Sequence, residues 1–409
     1  MRLCWIKAGG FVPLEFGGRI RSFQMVRELA RRHAVTVLTF YPGVADDRHS
    51  ELAPLFEELI TVPLNLPQKR SRAEYLDYLR LLLAPHAYSM QKYYRPELRR
   101  AVSQLFSRKS FDAIICDFVY PAGVLDWEAK TPTILFTHNV EAEVWERQYQ
   151  VSSNPLSKLA FWLEYKRLLR AERYYAQRSA HVLAVSESNR EFFGRYVGGA
   201  EKVSLIPTGV DTDYFHPAPE SPEQRSLVFT GSMDWVPNHD AMEYFYRDIF
   251  PLIRREEPDV DMWMVGRNPP ASLVRLVEND PKVHVTGRVE DVRPFMSRSS
   301  VFVLPMRTGS GTRLKVLEAM ASGKAIVSTP IGAEGLPVTD GENIILADSP
   351  REFAQSVVTL IRDSASRRRL EINARALSES GLSWRAAAVR LEAAVLATLS
   401  ESADQGGDR

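Results

Sequence analysis

Residues 300–338 read SVFVLPMRTGSGTRLKVLEAMASGKAIVSTPIGAEGLPV, and the order of residue types along them decides the fold. A short apolar run ending at Pro305 predicts a buried strand, and a loop holding Gly309 and Gly311 follows it. Helical spacing then runs from about Thr312 to Ala321, Gly323 stops it, and a second apolar run, Ala325–Ser328, predicts the next strand. On this helix Leu314, Leu317 and Ala321 share one face, and Val316 and Met320 cover a second. Lys315, Glu318 and Ser322 form one polar stripe between them. Glycines before a helix let backbone N–H groups approach an anion, and the helix N-terminus adds partial positive charge. Arg313 and Lys315 add full charges in the first turn, where cations are unfavourable without an anionic partner. A bound diphosphate resolves that conflict. A solvated stripe with a Lys315–Glu318 surface pair, worth at most about 1 kcal/mol, resolves it equally well. The residues alone leave both readings open.

Working outward, the strand–helix–strand rhythm repeats. Apolar runs at Leu3–Lys7, Val35–Phe40, Ala113–Asp117, Thr133–His138 and His181–Ser186 predict strands in the first half. Leu227–Thr230, Met262–Val265, Lys282–Thr286 and Val301–Leu304 do so in the second. Helical patterns such as Ile20–Arg32 intervene, so the expectation is α/β with parallel sheets and crossover helices. The stretch Ile206–Asp211 and the Pro- and Glu-rich residues 216–225 read as a hinge and linker. We therefore expect two facing, doubly wound, Rossmann-like domains, 1–207 and 208–380, with ligand bound in a cleft between them at strand C-terminal ends. Segment 381–409 is expected to hold a helix, Ser383–Leu399, that returns to the first domain, and a frayed tail, Glu401–Arg409.

Composition narrows the function. Lys plus Arg (52) balances Asp plus Glu (51), which speaks against a chain-wide nucleic-acid role. Only Cys4 and Cys116 occur, both in apolar runs, which points to a reducing compartment without disulfides or a Cys-based zinc site. No targeting segment or run of roughly 18 apolar residues is visible, so a cytoplasmic, soluble protein is expected. No metal-ligand constellation stands out. Neither Gly-rich turn has the G-x-G-x-x-G spacing of a dinucleotide oxidoreductase.

The segment resembles the donor-binding motif of retaining family-4 glycosyltransferases of the GT-B type, approximately E-G-F-G-L-x-x-L-E-A-M-A-x-G-x-P-V-V. Gly311, Leu314, Leu317, Glu318, Ala319, Met320, Ala321 and Gly323 match it. The resemblance extends to the Gly-Gly-Arg start at 17–19, His138-Asn139, the P-T-G-V-D hinge at 207–211 and G-R-V at 287–289. A finer similarity, to sugar transferases of bacterial exopolysaccharide loci including those accompanying exosortase systems, rests on G-S-M-D-W-x-P-N at 231–238 and T-H-N-V-E at 137–141.

The resemblance implies a nucleotide-sugar donor, a UDP-sugar or GDP-sugar, with no further cofactor. Glu318 matches the second glutamate of the family's E-x(7)-E motif, which holds the ribose hydroxyls, while Ser310 replaces the first, leaving the backbone of Gly311 and Thr312 to grip the sugar. Leu314 completes the donor set by motif position. The family's Arg-and-Lys pair after the first strand of the second domain is absent: that strand ends in Gly231-Ser232-Met233-Asp234, with no base before Arg247. Gly231 is expected to contact the donor, and Arg313 and Lys315 to neutralise the leaving diphosphate. Arg288 and Val289 mark where the nucleobase meets backbone groups.

In the first half, Gly17 and Gly18 lie at a strand–helix junction, where their backbone is expected to cradle the diphosphate with Arg19 as helper, a plain turn being the other reading. His138 ends a strand facing the expected cleft, a catalytic position, and the resemblance implies that it supports donor sugar or acceptor. Glu141 is read as orienting His138, as an acceptor base, or as a helix-start carboxylate. Asp117 is an acceptor-side candidate. Asn238 reads as a helix N-cap sooner than a donor contact. Residues 156–178 carry six Lys/Arg against two Glu with interleaved aromatics. Either they contact the inner face of the membrane, where a polyprenyl-linked or glycan acceptor would sit, or they form an ordinary amphipathic helix. The functional expectation is retaining, metal-independent sugar transfer in exopolysaccharide assembly. A nucleotide-sugar epimerase of the same fold and a non-catalytic nucleotide-sugar-binding subunit are the alternatives.

Overall fold

A computed structural model of the chain describes residues 1–12, 14, 17–42, 48–64, 66, 71–81, 85–218, 225–308 and 313–406. The chain divides into two compact units, Met1–Pro207 with Ala387–Arg409, and Thr208–Ala386. Each unit is built on one parallel sheet.

In the first unit the strands are β1 (Arg2–Ala8), β2 (Ala34–Pro42), β3 (Glu58–Leu64), β4 (Ala113–Asp117), β5 (Thr133–Phe136), β6 (His181–Ala184) and β7 (Val203–Leu205), in the order β3-β2-β1-β4-β5-β6-β7. Leu3 pairs with both Val35 and Ala113, so β1 is central. All five residues of β4 are buried, as expected of a strand covered on both faces. Helix α1 (Gly17–Ala30) follows β1. Helices α2 (Glu141–Val151) and α3 (Pro155–Arg178) separate β5 from β6.

The second unit has strands β8 (Ser226–Thr230), β9 (Asp261–Val265), β10 (Val283–Val285), β11 (Val301–Leu304), β12 (Ala325–Ser328) and β13 (Ile345–Leu346), in the order β10-β9-β8-β11-β12-β13. Every side chain of β8, β11 and β12 is buried. Helix α4 (Val236–Tyr244) follows β8, and α5 (Leu314–Ala321) follows β11. Both sheets reverse strand direction of growth at one point, β1/β4 and β8/β11. Ligands of doubly wound folds bind outside strand C-terminal ends at such points.

Some expectations need correction. The runs expected to reach His138 and Ser186 stop pairing at Phe136 and Ala184, and β10 is shorter than Lys282–Thr286. The edge strands β3, β7 and β13 were not expected. The last helix, α6 (Trp384–Gly406), continues beyond Leu399, where a frayed tail was expected. It begins in the second unit and passes into the first, where Glu392 bonds His33 at 2.7 Å.

Candidate active site

The end of β4 organises a cluster of buried polar side chains in the first unit. Asp117 is fully buried, a position a carboxylate tolerates only with partners. Its Oδ2 accepts from Trp5 Nε1 at 2.9 Å and faces Lys7 Nζ at 3.4 Å; its Oδ1 lies 2.8 Å from His138 Nε2. Lys7, also buried, donates to Ser22 Oγ at 2.8 Å, and Ser22 Oγ donates to the carbonyl of Gly18 at 2.9 Å. Burial alone would raise the Asp117 carboxyl, but Lys7 and the His138 hydrogen bond outweigh it and hold its pKa at about 2. Burial pushes the His138 imidazole down to about 4 against the pull of Asp117, so it is neutral at pH 7.

With an ionised carboxylate at Nε2, that nitrogen carries the proton and donates to Asp117. Nδ1 is then the acceptor. It is buried without a hydrogen-bond partner, and a Cβ on Gly18 would stand 3.8 Å from it. The next residue of the turn, Phe118, has φ 69°, a left-handed conformation that costs a bulky residue on the order of 1–3 kcal/mol. In return its ring lies flat on His138, with centroids 3.9 Å apart at 6°. The arrangement fixes the imidazole plane and presents one acceptor nitrogen beside the first turn of α1.

Around this cluster the other candidates separate. Gly17 and Gly18 open α1, and Arg19 donates to Val12 O at 3.0 Å. Glu141 begins α2 and accepts from Tyr120 Oη at 2.6 Å, so Asp117, and not Glu141, orients His138. Asp117, the acceptor-side candidate, is itself enclosed, with Trp5, Lys7 and His138 around its carboxylate.

In the second unit a separate cluster forms where β8 meets α5. Lys315, in the first turn of α5, donates to Asn238 Oδ1 at 2.5 Å and lies 4.2 Å from the Phe229 ring centroid. A Cβ on Gly231 would stand 2.6 Å from Lys315 Nζ, so only glycine leaves the ammonium its place at the strand end. Gly266, on the adjacent β9 end, has the same character: a Cβ there would strike Gly231 O at 1.8 Å. Burial lowers the Lys315 ammonium to about 7, with Glu318 opposing and Arg313 adding to the shift. Burial raises the Glu318 carboxyl to about 7, with Lys315 opposing. Among the described residues the Glu318 carboxylate accepts no hydrogen bond. Arg313 is buried at the N-cap of α5, 5.8 Å from the Trp235 ring centroid, and burial lowers its pKa with Glu334 opposing. Within the stripe Ser322 is buried, and Lys315 and Glu318 are half-buried. Leu314 packs against the core, Arg288 is exposed and Val289 packs on the core beyond β10. Ser310, Gly311 and Thr312 lie outside the described residues.

This geometry, a basic and acidic pair at a helix N-terminus beside a glycine strand end, agrees with what the sequence is similar to. Residues 17–214 match the family described as Glycosyltransferase Family 4, and residues 224–363 match Glycosyl transferases group 1. The chain belongs to the GT-B glycosyltransferases. An uncharacterized 44.6 kDa protein in the cps region of Klebsiella pneumoniae is 20% identical over 88% of this chain and 91% of its own. D-inositol 3-phosphate glycosyltransferase of Corynebacterium glutamicum is 24% identical over 52% of this chain and 56% of its own. In fold, the chain is similar to Anabaena HepE, whose crystal structure is in complex with UDP: TM-score 0.64, 15% identity, all of both chains covered.

Three features of this glycosyltransferase were beyond the sequence reading. Asn238 is no N-cap: Trp235 occupies that position, and Asn238 bridges Ser232 O, at 2.8 Å, and Lys315. Arg267, at the end of β9, reaches Ser232 Oγ at 2.8 Å and so supplies a base beside Gly231 from a neighbouring strand. Lys7 and Ser22 complete the Asp117–His138 cluster. The one signal for Lys7 was a base closing the apolar run Leu3–Lys7.

Proposed function

We propose that this enzyme transfers a hexosyl unit, with retention and without a metal ion, from a UDP-sugar or GDP-sugar to a glycan or polyprenyl-linked acceptor in exopolysaccharide assembly at the cytoplasmic face. The observation that carries it is the Lys315 ammonium seated against Gly231, with the Glu318 carboxylate, which accepts no hydrogen bond among the described residues, three residues on. A carboxylate accepts two ribose hydroxyls. Lys315, Arg313 and Arg267 oppose the charge that grows on the diphosphate as the bond to the sugar breaks. These bases take the electrostatic role that the missing Arg-and-Lys pair and, in other transferases, a metal would fill.

Retention without two facing carboxylates makes the reaction a front-face substitution in this scheme. The C1–phosphate oxygen bond breaks, the acceptor oxygen bonds C1 on the same face, and the acceptor proton passes to the departing phosphate oxygen. His138 Nδ1, neutral and acceptor-only, receives a hydrogen bond from a sugar hydroxyl. The relative in the Klebsiella cps region supports the exopolysaccharide setting.

Calorimetric titration with UDP, GDP and ADP tests the reading on wild type, Lys315→Ala and Glu318→Gln. One diphosphate bound by wild type, lost in Lys315→Ala and weakened in Glu318→Gln names the base and the site. With the matching donor, proton NMR of the product reads the anomeric configuration, and turnover in EDTA reads metal dependence. Sugar conversion without acceptor would assign an epimerase. Binding without turnover across an acceptor panel would assign a non-catalytic subunit.

A further inference from the structure

The hairpin of α2 and α3 carries a surface that the transferase chemistry does not use. The sequence gives α3 six bases and two acids, but the fold sorts them. Glu164 is buried and accepts from the backbone N–H groups of Tyr88 and Ser89, at 2.8 and 2.7 Å, at the start of the short helix Tyr88–Gln91. Glu172 is buried and accepts from Glu141 N and Ala142 N, at 2.7 and 3.1 Å, at the start of α2. Both acids of α3 are therefore used internally, as counter-charges to helix N-termini. The exposed face of α3 is left with bases only. Lys158, Lys166, Arg170 and Arg173 are exposed and form no ion pair among the described residues. Acids do occur on the facing helix: Glu143 pairs with Arg147 at 3.5 Å, and Glu146 bonds Tyr165.

The apolar residues are sorted in the opposite sense. The C-terminal half of α3 buries Leu168, Ala171, Tyr175 and Ala176. Its N-terminal half exposes Leu156 at 80%, Leu159 at 55% and Trp162 at 39%, and Val151, which ends α2, is 78% exposed. Trp162 and Lys158, like Trp162 and Lys166, are one helical turn apart, so aromatic and basic side chains share a face. Water-facing apolar side chains clustered at one hairpin tip are an unfavourable arrangement for a surface that stays in water. No helix among the described residues is long and apolar enough to cross a membrane.

We propose that this tip docks on an anionic lipid bilayer, with Val151, Leu156, Leu159 and Trp162 entering the interface and Lys158, Lys166 and Arg170 at the headgroups. The charge selects the occupant: a face of apolar anchors ringed by unpaired bases complements anionic headgroups over a hydrocarbon layer. The apolar contact is centred on the tip, because the C-terminal half of α3 turns Leu168, Ala171, Tyr175 and Ala176 inward. This anchoring does not depend on the sugar chemistry, although it would hold the protein where a lipid-linked acceptor lies.

Flotation of the full chain with vesicles of phosphatidylcholine alone, or mixed with phosphatidylglycerol, tests it. Wild type is expected with the mixed vesicles and not with phosphatidylcholine alone. Lys158→Gln/Lys166→Gln/Arg170→Gln lowers the partition coefficient on the order of a hundredfold, since each base near such a surface contributes about fivefold. Leu159→Ser/Trp162→Ser lowers it by roughly tenfold or more while leaving the melting temperature and UDP binding unchanged. Equal partitioning of wild type and both variants overturns the proposal, as does no partitioning of folded wild type. A concentration-dependent dimer that Leu159→Ser/Trp162→Ser abolishes, without lipid binding, would instead assign the face to a second copy of the chain. Because UDP binding is measured in parallel, failure here is distinct from failure of the donor-site reading.

Discussion

Lys315→Met removes the ammonium beside Gly231 while keeping an apolar stem over Phe229. A hydrogen bond from a charged donor contributes about 1.5–3 kcal/mol, so the diphosphate should bind roughly 10- to 150-fold more weakly. The pH dependence is the sharper test. With the Lys315 pKa lowered to about 7, the free enzyme is half protonated at neutrality. By that value the ammonium falls from roughly nine-tenths protonated at pH 6 to about one-tenth at pH 8. A bound diphosphate raises this pKa, so binding takes up a proton, and the wild-type affinity should drop by up to about tenfold across that range. The nucleotide's own ionisation cancels in the difference between wild type and Lys315→Met. Calorimetry in buffers of different ionisation enthalpy counts the protons directly. Equal affinity of wild type and variant, with the same pH slope, would refute the placement of Lys315 at the diphosphate.

Four further outcomes follow from the same geometry. Asp117→Asn strips the anion from buried Lys7 and lets the amide donate to His138, moving the imidazole proton to Nδ1; urea melts should show a loss of about 3 kcal/mol or more and turnover should fall further than donor binding. His138 has its folded pKa lowered to about 4, so it stabilises fully above the unfolded value near 6.5 and less as pH falls towards 4. The stability advantage of wild type over His138→Gln should therefore shrink by about 2 kcal/mol between pH 7 and pH 5, read by chemical denaturation. Gly231→Ala pushes Lys315 Nζ from the strand end and should weaken diphosphate binding by about tenfold without unfolding the chain, as thermal melts would show. Arg267→Ala should weaken diphosphate binding as well, and unchanged affinity would remove Arg267 from the donor site.

The central strands were legible because they are covered on both faces and so read as unbroken apolar runs: Ala113–Asp117 and Val301–Leu304 pair as expected. Edge strands such as Glu58–Leu64 carry half-exposed, mixed residues, and a two-residue strand such as Ile345–Leu346 has no period to detect. At the site, the α5 helix was legible from spacing within a single element. Lys7 and Asp117 come from β1 and β4, His138 from just beyond β5, and Arg267 approaches Gly231 from just beyond β9, so their meeting depends on strand order. Periodicity carries no information on that order. Asn238 misled for a related reason: an amide near a helix start has a strong local explanation, and its actual partner, Lys315, lies 77 residues away.

The passage of α6 from one unit into the other has a bearing on how the protein is made. Ala387, Ala388, Leu391, Ala394 and Val395 are buried in a unit whose remaining residues end at Pro207. Those side chains emerge from the ribosome only after all of Thr208–Ala386, so the unit that begins first is completed last. Until then Arg32 and His33 lack Glu392, and an apolar stripe stands open. An excised fragment 1–207 should accordingly need its helix supplied, fused or in trans, to become soluble, whereas the intervening unit has its own sheet in one continuous stretch.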